Sequence, residues 1–129
     1  MKKLKEKIYS TLSTDIALAA STQAIRPIKL EKKDNLPAIT YQVQVDPDHT
    51  FDGESGFAQA LAEINIYAKK QSQTESIFQE LKAAIVKLPG SYAGIRIHNL
   101  FTRRVIEDFE STEDEFRINV QFTINFTEG

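Results

Sequence analysis

The sequence predicts an α+β domain over residues 1–129, mainly an antiparallel β-sheet with two helices packed on one face. Three observations predict it. Phe116, Ile118, Val120, Phe122, Ile124 and Phe126 alternate with Arg117, Asn119, Gln121, Thr123 and Asn125, the period of two of a strand with one buried face. Leu4, Ile8 and Leu12, and later Phe78, Leu81, Ile85 and Leu88, recur at helical spacing, so each set forms one apolar stripe. The order of these segments shows no regular alternation of strand and helix and has hairpin-length connections, which favours antiparallel pairing.

Taken in order, the first helix places Lys2, Lys3, Lys5 and Lys7 off its apolar stripe and covers the sheet. Asp15 is a cap for a short turn through Ile16 and Leu18, and Ala24 to Leu30 is an extended segment that Pro27 assigns to a sheet edge. After Leu36-Pro37, Ile39, Tyr41, Val43 and Val45 alternate with Thr40, Gln42 and Gln44 as a second strand, ended by Asp46-Pro47. Asp48 to Gly56 is a polar, glycine-punctuated hairpin connection. From Phe57 to Lys69 a long strand sets Ala58, Ala60, Ala62, Ile64, Ile66 and Ala68 on one side, and its small alanines let a helix lie close.

The second helix is expected from Ser72 to Leu88, started by a Ser72/Glu75 capping box and stopped by Pro89-Gly90. Ala93 to Thr102 and Val105 to Phe109 are expected as two strands joined by a turn at Arg103-Arg104, ahead of the last strand.

Composition limits the function classes. A chain of 129 residues with 41% hydrophobic and 26% charged residues is that of one ordinary folded domain. A net charge of −2 lacks the positive field of a nucleic-acid binder. Zero cysteines exclude disulfides, thiolate metal sites and a thiol nucleophile. Ser10, Thr11, Ser13, Thr14 and Asp15 interrupt what a signal peptide would need as an apolar run, and no stretch approaches the ~20 apolar residues of a membrane span.

Catalytic chemistry finds little support. His49 and His98 are the only imidazoles, and no Gly-x-Ser-x-Gly turn accompanies them. His98 is read as a plain strand residue. Asp46, Asp48, Asp52 and Glu54 around Gly53 invite a calcium-loop reading, but Thr50 and Gln59 stand where that loop needs carboxylates. Glu107, Asp108, Glu110, Glu113, Asp114 and Glu115 near Arg103 and Arg104 are read as a solvated turn, with Mg²⁺-dependent hydrolysis as the competing reading. The glycines are scattered and open no phosphate loop, so no cofactor and no catalytic or metal residue is assigned.

A different signal comes from two polar strand faces almost free of charge, Thr40/Gln42/Gln44 and Asn119/Gln121/Thr123/Asn125. A face open to bulk water normally mixes in Lys and Glu, whereas paired amides and hydroxyls are buried at modest cost. Gln42, Gln44, Asn119 and Gln121 are therefore expected to meet protein in an assembly, against the alternative of an ordinary antiparallel solvent face.

These features resemble the tail terminator family of long-tailed phages, also called tail completion or tail-to-head joining proteins. The resemblance rests on the opening helix, on Leu36-Pro37-Ala38-Ile39-Thr40-Tyr41, and on the acidic loop through Asp52-Gly53. It rests further on Ala62-Glu63-Ile64-Asn65-Ile66-Tyr67-Ala68 leading into the second helix, and on Asp108-Phe109-Glu110-Ser111 through Phe126. It implies a structural virion protein, not an enzyme, that assembles with itself as a hexameric ring on the head-proximal end of the tail tube. Its implied partners are the tail tube protein and a head-completion or connector protein, with DNA only as passing cargo and no membrane. Its implied places are the virion tail and, during assembly, the host bacterial cytoplasm. The loop with Phe51 and Asp52 and the turn with Arg103 and Arg104 are the expected neighbour contacts. Another phage neck or tail protein, or a small cytosolic protein-binding adaptor, is the alternative.

Overall fold

The computed structural model describes residues 2–30, 35–45, 57–92, 94–111 and 114–128. Its elements run α1 (Lys2–Thr14), α2 (Ile16–Ser21), β1 (Ala24–Pro27), β2 (Ala38–Val45), β3 (Phe57–Ala68), α3 (Gln71–Ile85), β4 (Gly90–Tyr92), β5 (Ile95–Glu110) and β6 (Glu115–Glu128). The strands form one six-stranded sheet in the order β1-β2-β3-β6-β5-β4.

The α+β class stands, with two corrections. The sheet is mixed, because β1 runs parallel to β2 with Ala24 beside Ala38 and Pro27 beside Tyr41. The return between them spans residues 28–37, which gives the chain room to restart β2 in the same direction instead of turning a hairpin. Among the described residues the helices number three, since the turn expected after Asp15 closes into α2, where the Asp15 carboxylate accepts from the Leu18 N–H at 3.1 Å. Pro27 does lie on an edge strand.

Register explains the core. Ile39, Ile66 and Ile118 stand side by side across β2, β3 and β6, and Tyr41, Ile64 and Val120 form the next row. In the row after that, Ala62 lies opposite Phe122, a small side chain making room for the largest fully buried one. Leu4, Ile8 and Leu12 of α1, Leu18 of α2, and Ile77, Leu81, Ala84 and Ile85 of α3 complete a single apolar cluster with this face. α2 is tied to α3 by the Ser21 hydroxyl, which donates to Glu80 Oε1 at 3.0 Å.

α3 departs from its expected bounds. It starts with Lys70 as N-cap, without a side-chain cap, so Ser72 and Glu75 lie inside the helix and form no capping box. Instead the Lys70 carbonyl receives the N–H groups of Gln73 and Thr74. The helix ends at Ile85, yet the following turn still buries Leu88.

The largest correction concerns β5. Arg103 and Arg104 do not make a turn; β5 is one strand from Ile95 to Glu110, paired with β6 over its length. The ladder shifts register between Ile97 and Asn99 and again between Thr102 and Arg104, leaving His98 and Arg103 as the extra residues. Each bulge inverts the phase of the alternation, which is why one strand reads as two in the sequence. The turn lies farther on, near Asp114, whose φ of 51° is the left-handed region that Asp tolerates. At the other end Gly94, at φ 82°, turns the chain from β4 into β5.

Candidate assembly interface

The sheet has two unlike faces. Opposite the helices, β6 presents Arg117, Asn119, Gln121, Thr123 and Asn125, and pairing places these beside Tyr67, Asn65, Glu63, Leu61 and Gln59 of β3. The same register sets Gln42 beside Glu63 and Gln44 beside Leu61 on one flank. On the other it sets Arg104 beside Gln121 and Ile106 beside Asn119. Gln42, Gln44, Arg104, Asn119 and Gln121 therefore share one face. Arg103 sits at the bulge of β5 and is exposed, while Phe51 and Asp52 lie outside the described residues.

This face is more internally bonded than its amide composition implies. The Asn119 amide donates to Asn65 Oδ1 at 2.7 Å and to Glu63 Oε1 at 3.3 Å, and Gln121 Nε2 donates to the same Glu63 oxygen at 3.2 Å. Gln59 Nε2 donates to Asn125 Oδ1 at 3.0 Å, and Asn125 in turn donates to Asn99. One carboxylate thus organises the centre of the amide ladder. Gln42 and Gln44 are exposed at its margin. Thr40 is buried instead, with its hydroxyl 3.5 Å from that of Tyr67.

β5 carries features that the sequence reading missed. β4 pairs only with Ile95 to Ile97, so from Asn99 to Phe109 the outer edge of β5 has no strand partner among the described residues. Along that edge Phe101, Val105, Ile106 and Phe109 are all exposed, Phe101 by 57%. Phe101 and Ile106 lie on the amide face, whereas Val105 and Phe109 lie on the helix side, opposite Val120 and Phe116. There an open groove of about 600 Å³ separates β5 from α3, lined by Glu75, Phe78, Val105, Glu107 and Ile118. The signal was present: apolar residues occur on both phases of this strand, which a half-buried strand does not need.

The acidic end of β5 is built for pairing. Arg117 binds Asp108 with two guanidinium nitrogens, at 2.7 and 3.1 Å, and this bond raises the Arg117 pKa above its ordinary value while partial burial opposes it. Among the described residues no three His, Asp or Glu side chains gather to hold a metal. His98 Nε2 lies 2.6 Å from the Thr127 hydroxyl, a cross-strand bond of the sheet. His49 and the acidic loop 46–54 lie outside the described residues. No described helix is long and apolar enough to cross a membrane.

No protein-family model and no curated protein matches this sequence. Solved structures do match it. A chain from the virion of a native gene transfer agent (GTA) particle superposes with a TM-score of 0.63 at 19% identity, covering 95% of this chain and 92% of that one. This chain and that one share a fold. A second solved chain superposes with a TM-score of 0.59 at 9% identity, covering 97% of this chain and 96% of the other. At such identities the fold is what is shared, and it is shared from end to end.

Proposed function

We propose that this protein is a structural, non-enzymatic component of a phage or phage-like tail. It assembles as a hexameric ring on the head-proximal end of the tail tube, where it ends tube growth and offers the surface on which the head is joined. The observation that carries this reading is the end-to-end likeness to a chain of the gene transfer agent virion. A bare apolar strand edge beside an amide-rich sheet face supports it, because an isolated chain gains nothing from exposing Phe101 and Phe109.

Gln42, Gln44, Phe51, Asp52, Arg103, Arg104, Asn119 and Gln121 are the proposed contact residues toward neighbouring subunits, the tube protein and a head-completion protein. A head-to-tail interface that closes by rotation limits itself to a ring, which caps a polymer instead of extending it. DNA is passing cargo in this reading, in keeping with the net charge of −2.

The test is light scattering and negative-stain microscopy of the purified chain, with and without tail tubes. Annular particles or capped tube ends are expected. Gln121→Lys and Gln44→Glu are expected to abolish them, since a charge buried against protein is costly. A chain that leaves tube length and tube ends unchanged, or charge variants that cap as well as the parent, would overturn the proposal.

A further inference from the structure

The outer edge of β5 is self-complementary, and this is a property of its sequence in its observed register. Arg104, Ile106 and Asp108 are successive residues on the amide face, beside Gln121, Asn119 and Arg117 of β6. They place a positive charge, an apolar side chain and a half-exposed carboxylate, which Arg117 of the same chain already binds, in a row. If two antiparallel copies of this strand are laid edge to edge about a two-fold axis through Ile106, Ile106 meets its own copy, and each Arg104 meets the other copy's Asp108. On the helix side the same register sets Val105 opposite the methylenes of Glu107.

Neighbouring registers lack this match. An axis through Val105 puts Arg104 opposite Ile106, and an axis through Glu107 puts two like charges face to face, which destabilises a cross-strand pair.

The two edges of the sheet are also treated differently. β1 is four residues long, contains Pro27 and breaks off at Ile28, whose φ is 67°. These devices discourage strand addition. On the β5 side, the edge from Asn99 to Phe109 is long and contains no proline; it has a bulge at Arg103, but past that bulge its charges alternate in sign along the amide face and it exposes Val105 and Ile106. A two-stranded junction there would bury the unpaired backbone groups and the apolar side chains together.

We infer that two copies of this chain pair through β5, antiparallel, about an axis at Ile106, to make one continuous sheet across the dimer. The inference stands apart from the ring reading. A ring of equivalent head-to-tail contacts contains no such two-fold axis, so this dimer is the form in which the unassembled chain keeps its edge covered.

The natural sequence has no cysteine, so Ile106→Cys gives a unique reporter. Directly opposed residues of an antiparallel pair have Cα atoms about 4.5–5.5 Å apart, within the roughly 4.4–6.8 Å a disulfide needs. Mild oxidation is expected to link Ile106→Cys chains into dimers, while Asn99→Cys, on the same strand and face, stays unlinked. In sedimentation equilibrium, Arg104→Glu and Asp108→Lys are each expected to weaken self-association by roughly tenfold. Mixing the two restores a dimer, because each reversed charge then meets an opposite one. Circular dichroism checks that each variant is folded. The inference is overturned if the folded Ile106→Cys chain stays unlinked, if it links no faster than Asn99→Cys, or if the mixed charge variants associate no better than either alone.

Discussion

Arg117 on β6 grips Asp108 on β5 with a two-pronged bond: Nη2 lies 2.7 Å from Oδ2 and Nε 3.1 Å from Oδ1. Bidentate geometry makes this a better pair than most surface contacts. Both side chains are nonetheless about two-fifths open to water, at 39% and 44%. Solvent screening holds such a pair to about 0.5 kcal/mol. In urea unfolding, a double-mutant cycle of Arg117→Ala and Asp108→Asn is expected to give a coupling of about that size, smaller at high salt. A coupling several times larger would mean that the two side chains are shielded from water in the form measured.

Phe122 is a stronger anchor. It is 1% exposed and faces Ala62 across the β3–β6 ladder. Phe122→Ala leaves two alanines opposite one another and a hole that the α3 layer cannot fill, for a loss of roughly 3–5 kcal/mol. Ala62→Leu should hurt for the opposite reason, by roughly 1–3 kcal/mol, since added methylenes have nowhere to go beside Phe122. Paired with Phe122→Ala, the leucine should recover part of the loss. Chemical denaturation of the three variants measures this compensation.

The alternation of β6 and β3 and the four-residue stripe of α1 were legible because one face of each meets only apolar neighbours, so periodicity records burial directly. β5 was not legible, since it leaves the helix layer after Leu100 and carries two bulges. With apolar residues on both phases and two arginines at the second bulge, its sequence imitates a turn between short strands. The amide face was legible as a surface of unusual composition, but Glu63 was not legible as its organiser. The register that brings Glu63 to Gln121 is a long-range pairing that local pattern does not encode. The parallel start of the sheet was hidden too, because β1 is only four residues long.

Tyr41 gives the fold an alkaline limit. Burial on the helix side of β2 pushes its hydroxyl pKa above the ordinary value, and Tyr9, with a ring centroid 5.9 Å away, adds to the rise. The folded chain thus holds this proton more tightly than the unfolded chain, which releases it near pH 10. Stability linked to the protonated hydroxyl is complete below that pH and falls as pH rises through the higher folded-state value. Tyr41→Phe has no proton to lose there. Its urea midpoint should therefore decline less than that of the parent between about pH 9 and pH 11.

Ile28 is held where an isoleucine is least comfortable. Its φ of 67° is in the left-handed region, and its N–H donates to the Tyr41 carbonyl at 2.9 Å, which fixes the backbone there. A β-branched side chain in that region costs roughly 1–2 kcal/mol through its clash with the backbone. The side chain is 69% exposed, so little burial offsets that cost. Asparagine adopts the conformation readily, and Ile28→Asn is expected to stabilise the fold by about 1 kcal/mol. Ile28→Gly should gain less, because glycine adds backbone freedom worth roughly 0.5–1 kcal/mol to the unfolded chain. Ile28→Pro should lose stability, since its ring fixes φ near −65° and removes the N–H that meets Tyr41. Thermal melts of the three variants, ranked Asn above Gly above parent above Pro, check this reading. An asparagine variant that melts below the parent would show that Ile28 earns its strained place through contacts beyond the single chain.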